Sequence, residues 1–252
     1  SVDVAGTVST QNLTTETAAT IGTVNIAGNL NVSGGQLTTD VGGITVGGTA
    51  TTSAAVSSAG IFKVTGDASL GGNVTAATTI DLDDANGVVI TADVELDATT
   101  IDVESGISDS GGTFTLTLDG STSVDVAGTI STQNLTTETA ATVDGVNIAG
   151  NLVVGGGQLT VDNGAVSVGG TSDLGANVQS TGNTQTYTGA VTLSGAGGVT
   201  LTGTTVTFSS TVTGNNKDLT VAGNGTFGGT VSAIAVLQVT GDASLGGNVT
   251  AT

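Results

Sequence analysis

The feature that most constrains this chain is that it copies itself. Residues 1–49, opening Ser1-Val2-Asp3-Val4-Ala5-Gly6, recur at 123–171 with 38 of 49 positions identical and no gap. A second block, Val64 to Ala76 (VTGDASLGGNVTA), returns letter for letter at Val239 to Ala251. Repetition on this scale predicts an array, in which each unit buries its apolar face against the next instead of closing a private core. The offset between copies is 122 residues for the first block and 175 for the second, so 53 extra residues fall between about 172 and 238, enough for two to three further coils. Composition does not change across that stretch, which predicts one continuous array over 1–252, cut from a longer chain.

Shorter periods lie inside the long one. Apolar-x-apolar triplets occur at Val2-Asp3-Val4, Val24-Asn25-Ile26, Ile44-Thr45-Val46, Phe62-Lys63-Val64, Ile80-Asp81-Leu82, Ile101-Asp102-Val103 and Val124-Asp125-Val126, in steps of 22, 20, 18, 18, 21 and 23. Alternation at every second residue assigns one set of side chains to each face of a strand, and Gly-Gly, Gly-Asn and Asp-Gly supply the turns. Further short runs between the triplets give about three strands per period. The expected fold is therefore all-β: a single-chain parallel β-helix (β-solenoid) of 18–23 residues per coil and roughly 12 coils. At an inter-strand spacing of about 4.8 Å, such a stack is about 55–60 Å long. Between about 172 and 198 no triplet register can be read.

Composition narrows the setting. The chain has no Cys, Pro, Met, Trp or His, yet 37% of it is hydrophobic, which argues for order despite the abundance of Gly, Ser and Thr. Without cysteine, stability rests on ladder hydrogen bonds and core stacking. The net charge is −19, with Lys63 and Lys217 the only cations. A surface of that sign repels phosphate backbones and anionic headgroups, so nucleic-acid and membrane-surface partners are not expected. No apolar run of 18 residues marks a membrane-inserted helix. An acidic exterior suits salt or divalent cations, which screen self-repulsion, and points to an extracellular location.

Nine of the 21 acids lie between Asp81 and Asp109. Asp81 and Asp83 stand one coil from Asp102 and Glu104, so outward carboxylates should stack at about 4.8 Å, and like charges that close raise each other's pKa or recruit a cation. Calcium takes 6–8 oxygen ligands, which makes Asp81, Asp83, Asp102 and Glu104 the candidate metal ligands, with an exposed acidic face as the plainer reading. No other cofactor is implied. Catalysis is not expected: triads needing His or Cys are excluded, and the carboxylates that a hydrolase would use alternate with Val, Leu and Ile on regular strands. Phe62, Phe114, Phe208 and Phe227 occupy inward positions, where core stacking is the expected role. Lys63 and Lys217 can pair with acids on neighbouring coils or stand in solvent. Threonine runs such as Thr113 to Thr117 resemble ice-binding faces, but Thr is also a good exposed strand residue.

The stretch Tyr187 to Leu193, with Val206-Thr207-Phe208, Leu219-Thr220-Val221, Phe227-Gly228-Gly229 and Leu237 to Gly241, resembles the tandem coils of filamentous-haemagglutinin-like bacterial surface exoproteins. That resemblance implies a right-handed parallel β-helix and a secreted, non-enzymatic adhesin shaft or matrix fibre that associates with itself and contacts cell-surface or matrix glycans. Blocks such as Gly66 to Asn73 also resemble the stalks of phage tail fibres, which implies three chains per rod. A polysaccharide-degrading β-helix is the enzymatic alternative.

Overall fold

The computed structural model describes residues 2–10, 13–84, 86–111, 113–138, 140–155 and 157–252. Among them are 29 strands and no helix, and every strand pairing described is parallel. The chain forms a β-solenoid, and its contacts divide it into two compact units, Ser1–Gly128 and Thr129–Thr252.

Most strands are three residues long with the ends buried and the middle open, as in Ile44–Val46, Phe62–Val64 and Leu152–Val154. The pattern follows from the sequence: two apolar residues flanking a Thr, Ser, Asn, Asp or Lys can point both large side chains inward only if the backbone is extended. Glycine pairs then turn the chain to the next face. Three such faces make one coil, and each strand hydrogen-bonds to its counterpart one coil later.

In the first unit one column runs Val24, Ile44, Phe62, Ile80, Ile101 and Val124, in steps of 20, 18, 18, 21 and 23 residues. Those are the steps of the triplets. The first step differs: Val24 pairs with Val8, whereas Val2 pairs with Ala19, at the foot of a separate seven-level column through Leu37, Val56, Val74, Leu96 and Leu118. Val2 and its copy Val124 thus stand in different columns of this unit. The 122-residue repeat is not a whole number of coils, so equating the sequence period with the coil period misplaces its first triplet.

In the second unit one column runs Val146, Val166, Gln185, Val206, Gly225 and Ala243. The stretch without readable triplets is regular here: Ser172–Leu174, Val178–Gln179, Thr184–Tyr187 and Val191–Leu193 are strands in register with their neighbours. The triplets vanish because polar residues turn inward. Ser172, Ser180 and Gln185 are fully or almost fully buried.

Gln185 is satisfied in full. Its amide nitrogen donates to the carbonyls of Val178 (3.0 Å) and Thr202 (2.9 Å), and its Oε1 accepts the hydroxyl of Tyr187 at 2.8 Å. Above Tyr187 the rings of Phe208 and Phe227 stack at centroid distances of 5.6 and 4.9 Å, within 16° of parallel. Phe62 is likewise buried in the first unit. Phe114 departs from its expected inward place: it is half-buried, precedes strand Thr115–Thr132, and uses its N–H on the carboxylate of Asp109.

Corners carry a recurrent device. The side-chain oxygen of an Asn accepts a backbone N–H from the same corner one coil later: Asn29 from Thr49, Asn73 from Glu95, Asn151 from Thr171, Asn177 from Thr200 and Asn224 from Asp242, all within 2.8–3.0 Å. These bonds satisfy donors that the sharp turn removes from the ladder. Gly223, at φ +146°, lies so close to the Gly203 carbonyl that a Cβ could not be accommodated.

Candidate functional site: a lysine-clamped carboxylate ladder

The outward middle residues of the first unit's Val24 column form a ladder of their own: Asn25, Thr45, Lys63, Asp81, Asp102, Asp125. Strand geometry dictates this, because residues flanked by inward Phe62/Val64 or Ile80/Leu82 must point out. The expected stacking of Asp81 beneath Asp102 is present, and Asp125 extends it by one rung. A second acidic pair, Asp97 and Asp119, stands on the neighbouring face.

Lys63 sits one rung below Asp81 and closes the lower end. Its ammonium donates to Asp81 Oδ2 at 2.7 Å and to Asp83 Oδ2 at 2.6 Å. All three side chains keep only a fifth to under a third of their surface exposed. The hydrogen bonds to Asp81 and then Asp83 hold the ammonium above its ordinary pKa. Asp83 is held below the usual carboxylate range, chiefly by its bond to Lys63. Asp81 is pushed up by partial burial, which the Lys63 bond opposes and the neighbouring Asp83 reinforces.

The four candidate ligands therefore do not converge. Asp81 and Asp83 are occupied by an internal cation, and Asp102 and Glu104 stand exposed on the next coil, where the Glu104 N–H continues the ladder to Leu82. Among the described residues no group of three or more acidic, His or Cys side chains is arranged to hold a metal. Lys63 offsets one of the two charges on Asp81 and Asp83 and leaves those of Asp102 and Glu104 on the coil above.

Other acids of the cluster serve the backbone. Asp84, almost fully buried, accepts the Ala68 N–H with Oδ2 at 2.7 Å and the Asn86 N–H with Oδ1 at 2.8 Å. Asp93 accepts the Thr115 N–H, and Glu95 exchanges two bonds with Asn73. The sequence marks these residues only as charge. Their role as corner caps becomes visible once the coil spacing places them beside a turn.

A cavity of about 220 Å³ is lined by Leu13, Thr14, Thr15, Glu16, Ala19 and Ile21, among others. Glu16 is the carboxylate among its described lining residues. No helix among the described residues is long and apolar enough to cross a membrane. Comparison with protein families, with curated proteins and with solved structures finds no match.

Proposed function

We propose that this chain is a non-enzymatic structural segment of an extracellular bacterial fibre or adhesin shaft. The observation that carries the reading is the coil-to-coil ladder of parallel strands that recurs through the described residues of each unit: side chains in matched columns, backbone donors and acceptors handed from one coil to the next, and corners tied by Asn. Such an arrangement resists extension and bending, because every coil is held by several ladder bonds and a stacked core at once. A hydrated acidic exterior of Thr, Asn and Asp keeps such a segment soluble and suits contact with matrix glycans or with other fibres.

A trimeric stalk is the rival. The core favours the single-chain reading, since the inward side chains Val24, Ile44, Phe62, Ile80 and Ile101 are all fully buried by one chain alone.

Immunogold labelling and fractionation of the producing cells test the proposal. Label on surface filaments or in the matrix is expected. Confinement to the intracellular fraction refutes it, as does release of reducing or unsaturated sugar ends by the purified chain.

A further inference from the structure

The two copies of the long repeat differ at one corner by a paired exchange. Where the first copy has Gly22 and Val41, the second has Asp144 and Asn163, each 122 residues on. The hydrogen bonding changes with them. In the first copy the Gly42 N–H donates to the Gly22 carbonyl at 2.8 Å, which closes the corner onto the preceding coil. In the second copy the equivalent Asp144 carbonyl faces the Cα of Gly164, so closely that a Cβ there would lie 2.6 Å from it, and among the described residues no acceptor takes the Gly164 N–H. The corner is fastened by side chains instead: the Asn163 amide nitrogen donates to Asp144 Oδ1 at 2.7 Å. Asn163 is exposed, and it and Gly164 lie in the bend between strands Leu159–Val161 and Val166–Val168.

We propose that Asn163-Gly164 is a site of spontaneous deamidation, and that conversion undoes the fastening the amide provides. The Gly164 nitrogen gives up its proton to solvent base and attacks Asn163 Cγ. A C–N bond forms and closes a cyclic succinimide, the bond from Cγ to the side-chain nitrogen breaks, and that nitrogen takes up a proton and leaves as ammonia. Water then opens the ring at either carbonyl to give Asp or isoaspartate, so the balance is amide plus water to carboxylate plus ammonium. Glycine suits the attack, because it has no Cβ to shield the nitrogen and its backbone turns freely toward the ring geometry. The new carboxylate has no proton to offer Asp144, and a donor–acceptor contact becomes a repulsion between like charges on adjacent coils. The chain has two other Asn-Gly pairs, and each is held at two points. Asn86 donates its own N–H to Asp84 Oδ1 and its amide to Asp67 Oδ1. Asn224 lies within strand Val212–Phe227, where its Oδ1 accepts the Asp242 N–H and the Gly225 N–H donates to the Asp242 carbonyl at 2.8 Å.

Incubation of the purified, folded chain at mildly alkaline pH, followed by peptide mapping in a mass spectrometer, reads conversion as the mass gained when NH2 is exchanged for OH. Asn163 should convert at least about tenfold faster than Asn224, because two hydrogen bonds must open before Asn224 can react, and it should also precede Asn86. Conversion of Asn163 no faster than either of the others overturns the proposal, and so does its complete resistance. The consequence is read separately on Asn163→Asp, which carries the product's charge from the start. This variant should unfold the second unit at lower urea than the parent, with a deficit that shrinks at high salt as the repulsion is screened. A parent-like midpoint at low salt, or a deficit indifferent to salt, overturns the loosening of the corner. Asn163→Gln keeps an amide at the position but disfavours closure of the ring, and its peptide should show no mass gain over the same incubation; a gain as large as the parent's would place the reaction elsewhere in that peptide and overturn the assignment.

Discussion

Replacing Tyr187 by Phe removes one oxygen from the interior of the second unit and nothing else. The ring keeps its stack on Phe208, so the loss of apolar contact is negligible. What remains is Gln185 Oε1, fully buried and without the hydroxyl it accepts at 2.8 Å. An orphaned buried acceptor costs about 1–3 kcal/mol, and Tyr187→Phe should lose that much in urea unfolding followed by circular dichroism, read on the transition of residues 129–252. Gln185→Leu alone frees the carbonyls of Val178 and Thr202 from their amide donor. The double variant should cost less than the sum of the singles by about 1 kcal/mol or more, because the hydroxyl that Gln185→Leu strands and the Oε1 that Tyr187→Phe strands are then both gone, while the two carbonyls cost no more than in Gln185→Leu alone. The same hydroxyl sets an alkaline limit. Burial pushes the Tyr187 phenol well above its ordinary value, so the folded chain keeps a proton that the unfolded chain sheds near pH 10. Stability is therefore whole below about pH 10 and falls above it by about 1.4 kcal/mol per pH unit from this group. Lys63, whose pKa is raised by Asp81 and Asp83, acts with the same sign in the first unit. Tyr187→Phe should abolish the alkaline slope of the second unit and leave that of the first. A variant as stable as the parent, or one that retains the full slope, refutes the account of a satisfied buried pair.

Three further outcomes follow from the packing. Lys63→Gln should destabilise the first unit by about 1 kcal/mol at neutral pH, a charged hydrogen-bond pair discounted for partial exposure; the deficit should shrink in acid, since the depressed Asp83 contributes stability above its unfolded pKa and loses it as pH falls, and calcium should stabilise this variant more than the parent in a thermal melt. Asp84→Ala strands the Ala68 and Asn86 N–H groups and should cost about 1–3 kcal/mol by urea titration, with an effect near zero refuting the corner-cap role. Phe208→Ala removes the middle ring of the stack and should cost about 3–5 kcal/mol, whereas Phe114→Ala, half-buried outside the core, should cost clearly less in the same assay.

The fold was legible wherever inward positions were apolar. Five of the six triplet steps are coil steps because Val, Ile and Phe at alternate residues leave only one face to bury. Val2 escapes the pattern because the 122-residue repeat is not a whole number of coils, and so do residues between 172 and 198, where Ser172, Ser180 and Gln185 point inward and no hydropathy pattern can announce it. The acidic ladder was legible as a stack of Asp81 under Asp102 because strand pleating alone places it. That Lys63 sits on Asp81 and Asp83 required the offset of 18 residues between neighbouring rungs to be applied one coil further back. Asp84 could not be told from its neighbours, since a carboxylate capping an N–H and one facing water look identical in one dimension.

A chain of near-copies has many almost equivalent ways to pair, and a strand of Val-Thr-Leu finds a tolerable partner one level too high or too low. Gln185 and Tyr187 break that degeneracy. Shifted by one level, Gln185 would stand where Val166 or Val206 belongs, with two amide protons and a carbonyl oxygen facing aliphatic side chains. The correct alignment is the one in which these polar atoms meet, so the pair acts as a key for indexing: it tells an otherwise self-similar ribbon which winding it is on.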